Sequence, residues 1–154
     1  VLIFTLSDNG KGIDENMLQT VTDPFTTSRT TRVVGMGIPL LKLSAEMTGG
    51  SFNIKSQTGK GTVTEARFVV DSIDRIPLGS IDDTLKALIL AKPEIDYEIR
   101  FQSNKASFEL KTMDIKEYLN GVPISNVEVI NWIAEKIHEG LKEVFGGVLN
   151  EISG

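Results

Sequence analysis

The chain has 154 residues, 40% hydrophobic and 24% charged, with a formal net charge of −5 and a pI near 4.9. Those values fit a globular chain of one domain or two small ones, and the acidic balance argues against a general nucleic-acid surface. With no cysteine and one histidine, disulfides, thiolate catalysis, thiolate metal sites and a multi-histidine metal centre are all excluded. No apolar run reaches the length of a membrane span and no secretory signal is visible. The chain begins at Val1, already inside an apolar run, so it reads as a piece of something longer.

Val1 to Leu6 is a run of strong β formers and predicts a buried strand. Asp8-Asn9-Gly10-Lys11-Gly12-Ile13 follows. Two glycines one residue apart, straight after a strand, require a sharp turn or a close approach to the backbone. Asp8 puts a carboxylate at the rim of that turn, although Asp-Asn-Gly is also ordinary turn chemistry. Asp14 can cap a short helix to about Thr20, with Ile13 and Met17 on its inner side. Residues 21–34 lack periodicity, are rich in Thr and Ser, and contain Pro24-Phe25-Thr26-Thr27-Ser28, Arg29 and Arg32. A loop of that length is either functional or disordered.

Gly35-Met36-Gly37 then precedes a helical pattern from Ile38 to Met47. Ile38, Leu41 and Ala45 mark its inner stripe, and Leu40, Leu43 and Met47 widen it. Pro39 suits a helix start and Gly49 a helix end. Glycines directly before a helix N-terminus leave free N–H groups at the positive end of the dipole, which is an anion site or simply a cap. Ser51 to Ser56 and Thr62 to Val70 predict two strands joined by the Gly59-Lys60-Gly61 turn. Asp71 to Gly79 reads as a linker.

In the second half, Ser80 and Asp83 resemble a capping box for a helix through Leu85, Leu88 and Ile89 that ends before Pro93. Tyr97, Ile99 and Phe101, then Ala106, Phe108 and Leu110, alternate with polar residues. A two-residue turn at Ser103-Asn104 pairs Ile99 with Phe108 and puts Glu98 opposite Glu109. Asp114 and Glu117 start a short helix ending near Gly121. Ser125 and Glu128 form a second capping box for a long helix with Val129, Ile130, Ile133, Ile137, Leu141, Val144 and Phe145 in one stripe. His138 lies toward its polar side and reads as solvated.

The ordered series of Asp8–Gly12, Phe25–Thr27, Gly35–Gly37 and Gly59–Thr62 resembles the ATP-binding domain of bacterial sensor histidine kinases. Those kinases belong to the GHKL superfamily with type II topoisomerases, a heat-shock chaperone and mismatch-repair ATPases. The resemblance covers residues 1–70 and is specific because the boxes occur in order. It implies an α+β chain. Residues 1–70 would be the C-terminal part of a Bergerat-type α/β sandwich, 71–79 a linker, and 80–154 a small helix–hairpin–helix module.

The resemblance also implies roles. Asp8 accepts a hydrogen bond from the adenine amine, Gly10 and Gly12 let the ring approach, and Ile13 forms an apolar wall. Residues 21–34 are the lid over ATP, anchored by Phe25 with Thr26 and Thr27. Gly35, Met36, Gly37 and Ile38 face the triphosphate, where Pro39 removes one donor. The Thr62 hydroxyl lies near the adenine and Asp8. ATP and Mg²⁺ are the implied cofactors, with the metal held by an asparagine-bearing helix expected before Val1 and by no residue of this chain. Without that helix the chain alone should transfer or hydrolyse phosphate poorly.

The leading reading is thus the ATP-binding portion of a histidine-kinase-like ATPase or kinase in cytoplasmic bacterial signalling. The alternative is a non-catalytic interaction or regulatory module on a degenerate nucleotide fold. A chaperone- or topoisomerase-type ATPase comes third, since those carry a larger domain after the ATPase. Expected partners are a nucleotide, a protein docking on residues 80–154, and a second copy of the chain covering an exposed sheet face and edge.

Overall fold

Alternation of apolar and polar residues in Ser51–Gln57, and in the strand beyond the Gly59 turn, produces a sheet with one apolar face. In the computed structural model, which describes residues 1–22 and 36–148, that sheet has three antiparallel strands. They are β1 (Leu2–Asp8), β2 (Ser51–Gln57) and β3 (Gly61–Phe68), in the order β1-β3-β2. Phe4, Ala66 and Phe52 stand in one row across it, and Asp8 and Ser56 both stand opposite Thr62. The chain divides into two units, one through Ile76 and one from Pro77.

In the first unit, α1 (Glu15–Thr20) is capped by the Asp14 side chain, which accepts from the Asn16 N–H at 2.9 Å. The longer α2 (Gly37–Met47) packs over β2 and β3 and buries Ala45 against the sheet. The buried Thr48 hydroxyl donates to the Ala45 carbonyl and accepts from the Val69 N–H, joining the end of α2 to the end of β3.

Two expectations are corrected here. β1 is an edge strand rather than a buried one, with Leu6 58% exposed, because α2 lies over the other two strands. Leu40, Leu43 and Met47 do not widen the inner stripe of α2; each is about half exposed, and Pro39 and Ala45 are the buried positions. The first part of the expected linker folds back: Arg75 is buried and its Nε donates to the Val70 carbonyl at 2.9 Å.

The second unit contains α3 (Ile81–Ala91), β4 (Glu98–Gln102), β5 (Ser107–Lys111), α4 (Thr112–Leu119) and α5 (Val127–Phe145). The apolar stripe of α5 covers the hairpin and α3, and its Ile130, Ile133 and Ile137 join Ile89, Ile99, Leu110 and Ile124 in one core. Thr112, fully buried, continues the ladder past β5: its N–H donates to the Tyr97 carbonyl and its Oγ1 accepts from the Tyr97 N–H.

The hairpin register differs from the expected one by two residues. Phe101 pairs with Phe108 and Ile99 with Leu110, so the loop runs from Ser103 to Ala106. The Ser103 N–H donates to the Ala106 carbonyl, and its Oγ accepts from the N–H groups of Lys105 and Ala106. That hydroxyl-closed turn replaces the tight one, and the parity of inward and outward residues survives. Arg100 now faces Glu109 and Glu98 faces Lys111, so no carboxylates oppose each other. The hydrogen bond from Arg100 holds the Glu109 carboxyl below its ordinary value, with Lys111 adding to the effect.

The helix caps also differ from those expected, although α3 does begin just after Ser80. The Ser80 side chain caps nothing in α3; its carbonyl accepts from Thr84. α4 begins at Thr112, before Asp114. For α5 the cap is Asn126, not Ser125, and its Oδ1 accepts from the N–H groups of Glu128 and Val129. His138 is exposed, with Nδ1 2.9 Å from an Asp82 carboxylate oxygen.

Gly140 lies where α5 meets the hairpin. A Cβ there would stand 2.4 Å from Cγ of Phe108, whose ring stacks on Phe101. Gly140→Ala should therefore destabilise the second unit. Overpacking of about 1–3 kcal/mol exceeds the helix-propensity gain of up to about 1 kcal/mol. Denaturant unfolding followed by Trp132 fluorescence measures this, as a lower midpoint at unchanged slope.

Candidate functional site

The first glycine box is held by the turn between β2 and β3. The Gly59 N–H donates to the Lys11 carbonyl at 2.8 Å. A Cβ on Gly12 would stand 2.2 Å from the Gln57 carbonyl oxygen, and one on Gly61 would stand 1.9 Å from that of Asp8. Both glycines have positive φ, 71° and 109°. They serve close backbone approach between the box and the neighbouring hairpin.

Asp8, Thr62 and Ser56 are cross-strand neighbours on one face. One oxygen of the exposed Asp8 carboxylate accepts from the Gly10 N–H at 2.8 Å. That is the turn role expected of an Asp-Asn-Gly stretch, and it leaves the other oxygen as an acceptor. Ser56 is a residue that sequence reasoning missed. Its Oγ accepts from the Ile13 N–H at 2.7 Å, lies 3.0 Å from the Gly61 carbonyl and 2.8 Å from Thr62 Oγ1.

One proton count orders this cluster. The Ser56 hydroxyl has a single proton, and only the Gly61 carbonyl can do nothing but accept it. Thr62 then donates to Ser56, and its remaining lone pairs point elsewhere as acceptors. The only sequence signal for Ser56 was its position across the hairpin turn from another hydroxyl residue.

Of the expected site residues, Asp8, Gly10, Gly12, Ile13 and Thr62 are thus brought together. Met36, Gly37 and Ile38 form the start of α2, and among the described residues no hydrogen bond joins them to the Asp8 cluster. The Leu40 N–H bonds to the Met36 carbonyl and Pro39 has none, so Gly37 and Ile38 supply the free amides of that turn. Phe25, Thr26, Thr27, Gly35, Arg29 and Arg32, and with them the expected lid, lie outside the described residues. No group of three His, Asp or Glu able to hold a metal occurs among the described residues.

Residues 1–72 match the family described as histidine kinase-, DNA gyrase B-, and HSP90-like ATPase. The autoinducer 2 sensor kinase/phosphatase LuxQ of Vibrio parahaemolyticus is 30% identical over 106 residues, covering 58% of this chain and 12% of that protein. Sensor histidine kinase ZraS of Salmonella typhimurium is 34% identical over 62 residues, 40% of this chain and 13% of its own length. Sporulation kinase D of Bacillus subtilis is 38% identical over 60 residues, 39% of this chain and 12% of its own. The chain therefore spans about an eighth of the length of these curated relatives. No solved structure matches it.

Two substitutions test how the cluster is built. Ser56→Ala should cost about 1 kcal/mol and speed exchange of the Ile13 amide, which loses its acceptor. Gly61→Ala should cost more, about 1–3 kcal/mol for the backbone conformation before the clash with Asp8 is added. Native-state hydrogen exchange at Ile13 and along β1 and β3 reads both.

Proposed function

From residues 1–72 as a domain of the histidine kinase-, DNA gyrase B-, and HSP90-like ATPase family, we propose that this segment forms the base- and phosphate-facing part of an ATP site. The observation that carries this is the pair of acceptors at Asp8 and Thr62, with the Thr62 proton directed to Ser56. Two acceptors side by side suit a ligand edge that donates, as the adenine amine does. They repel the carbonyl oxygen that guanine carries at the same place. Gly10 and Gly12 shape the turn beneath the base and Ile13 is its apolar wall. Gly37 and Ile38, with Gly35 and Met36, meet the phosphates; Phe25, Thr26 and Thr27 belong to the covering loop. Mg²⁺, when bound with ATP, neutralises phosphate charge and orients the transferred group.

The protein to which this segment belongs acts, on this reading, as a kinase or ATPase in cytoplasmic signalling. A non-catalytic regulatory role is the second reading. It is favoured by Pro39, which leaves the α2 start with two free amides for a triphosphate. Among the described residues, no helix is long and apolar enough to cross a membrane.

Calorimetric titration with ATP and GTP tests the site. Asp8→Asn keeps an oxygen for the Gly10 N–H but presents a neutral amide to the base. It should weaken ATP binding by about 1.5–3 kcal/mol, the range for hydrogen bonds to charged groups. GTP should bind the unaltered protein at least about tenfold more weakly than ATP. Equal ATP affinity in the variant would leave Asp8 as a turn residue only.

The exposed apolar side chains of β1 and α2 support a further proposal, self-association through the first unit. Leu6, Leu40, Leu43 and Met47 are each more than half exposed, an arrangement that favours a covering partner. Sedimentation over a range of concentrations should show a mass that rises with concentration; a constant monomer mass would rule it out.

A further inference from the structure

The second unit carries an open groove of about 440 Å³ between α4 and α5. Tyr118 and Leu119 line it from α4, and Val129 and Trp132 from α5. Tyr118 is 91% exposed and Trp132 48%. Two aromatic side chains with polar handles, left bare beside aliphatic ones, are the kind of group on which protein interfaces concentrate binding energy. Two adjacent helices with an apolar groove between them accept the apolar face of a third.

Charge selects the occupant. Asp114 and Glu128 are the charged residues of the lining, and no Lys or Arg joins them. Neither carboxylate takes part in an ion pair among the described residues. From Pro77 onward the sequence has 13 Asp and Glu against 8 Lys and Arg, whereas the residues before it have 8 of each. The whole net charge of −5 thus belongs to the part of the chain that bears the groove. A second copy docking groove to groove would set these carboxylates against themselves. A cationic partner would neutralise them.

We infer that this groove is a docking site for a helical segment of a partner protein that is apolar on one face and basic around it. Its apolar side chains, spaced three and four residues apart, enter between Tyr118 and Trp132. Its Lys or Arg side chains meet Asp114 and Glu128.

Two synthetic helical peptides with the same leucine spacing test this, one with lysine and one with glutamate at the remaining positions. Each is titrated into the full chain while the emission of Trp132, the only tryptophan, is followed. The lysine peptide should shift that emission to shorter wavelength and bind at least about tenfold more tightly than the glutamate peptide. Asp114→Asn combined with Glu128→Gln should remove most of that preference. Tyr118→Ala should weaken the lysine peptide at least about fivefold. Because Tyr118 is so exposed, its replacement leaves the core closed. Three results would overturn the inference: no change at Trp132 with the lysine peptide, a preference fully retained in the double variant, or Trp132 emission that varies with protein concentration alone. The last would mark the groove as a contact between copies of the chain.

Discussion

The candidate site depends on a place where no side chain fits. The Asp8 carbonyl occupies the space that a Cβ at position 61 would need, so β1 and β3 meet at their ends backbone to backbone. From that contact the rest of the cluster follows. Asp8 and Thr62 become direct neighbours, Ser56 comes alongside from β2, and the Ser56 hydroxyl reaches the Ile13 amide beyond the glycine box. A glycine in a β-hairpin turn thereby sets the hydrogen-bonding character of a surface built from three separate stretches of chain. The nucleotide-facing role of that surface is the one proposed above for residues 1–72.

The elements were largely legible because their periodicities are strong. Phe52 and Ile54 alternate with Asn53 and Lys55, and Ile130, Ile133 and Ile137 return at helical spacing. What was not legible required knowing neighbours. The apolar run of β1 looks the same whether the strand lies in the middle of a sheet or at its edge. The hairpin parity was readable, but the register depended on the Ser103 hydroxyl closing a longer loop. Asn126 and Ser125 are adjacent and equally able to cap, and geometry chose between them.

The same distinction applies to the site. The glycines and Asp8 stood out as a local pattern, whereas Ser56 matters only through register. Its role cannot be read from the segment in which it lies. The placement of Thr62 beside Asp8 likewise comes from pairing between β1 and β3, residues more than fifty positions apart. The start of α2 presents the opposite case. Its glycine and proline pattern was plain in the sequence, and the structure adds a count of donors: two free amides, because Pro39 has none and that of Leu40 is already bonded.

Both tyrosines and the tryptophan belong to the second unit, at Tyr97, Tyr118 and Trp132, while the first has phenylalanine as its only aromatic residue. The first unit is consequently almost transparent in the near ultraviolet. An adenine ring settling against Ile13 would be the dominant chromophore on that side of the chain, and difference spectra of a bound nucleotide would be free of overlapping tyrosine or tryptophan bands from its own unit. Tryptophan emission, conversely, reports on the second unit, which holds Trp132. The distribution of three side chains thus gives each unit its own optical signature.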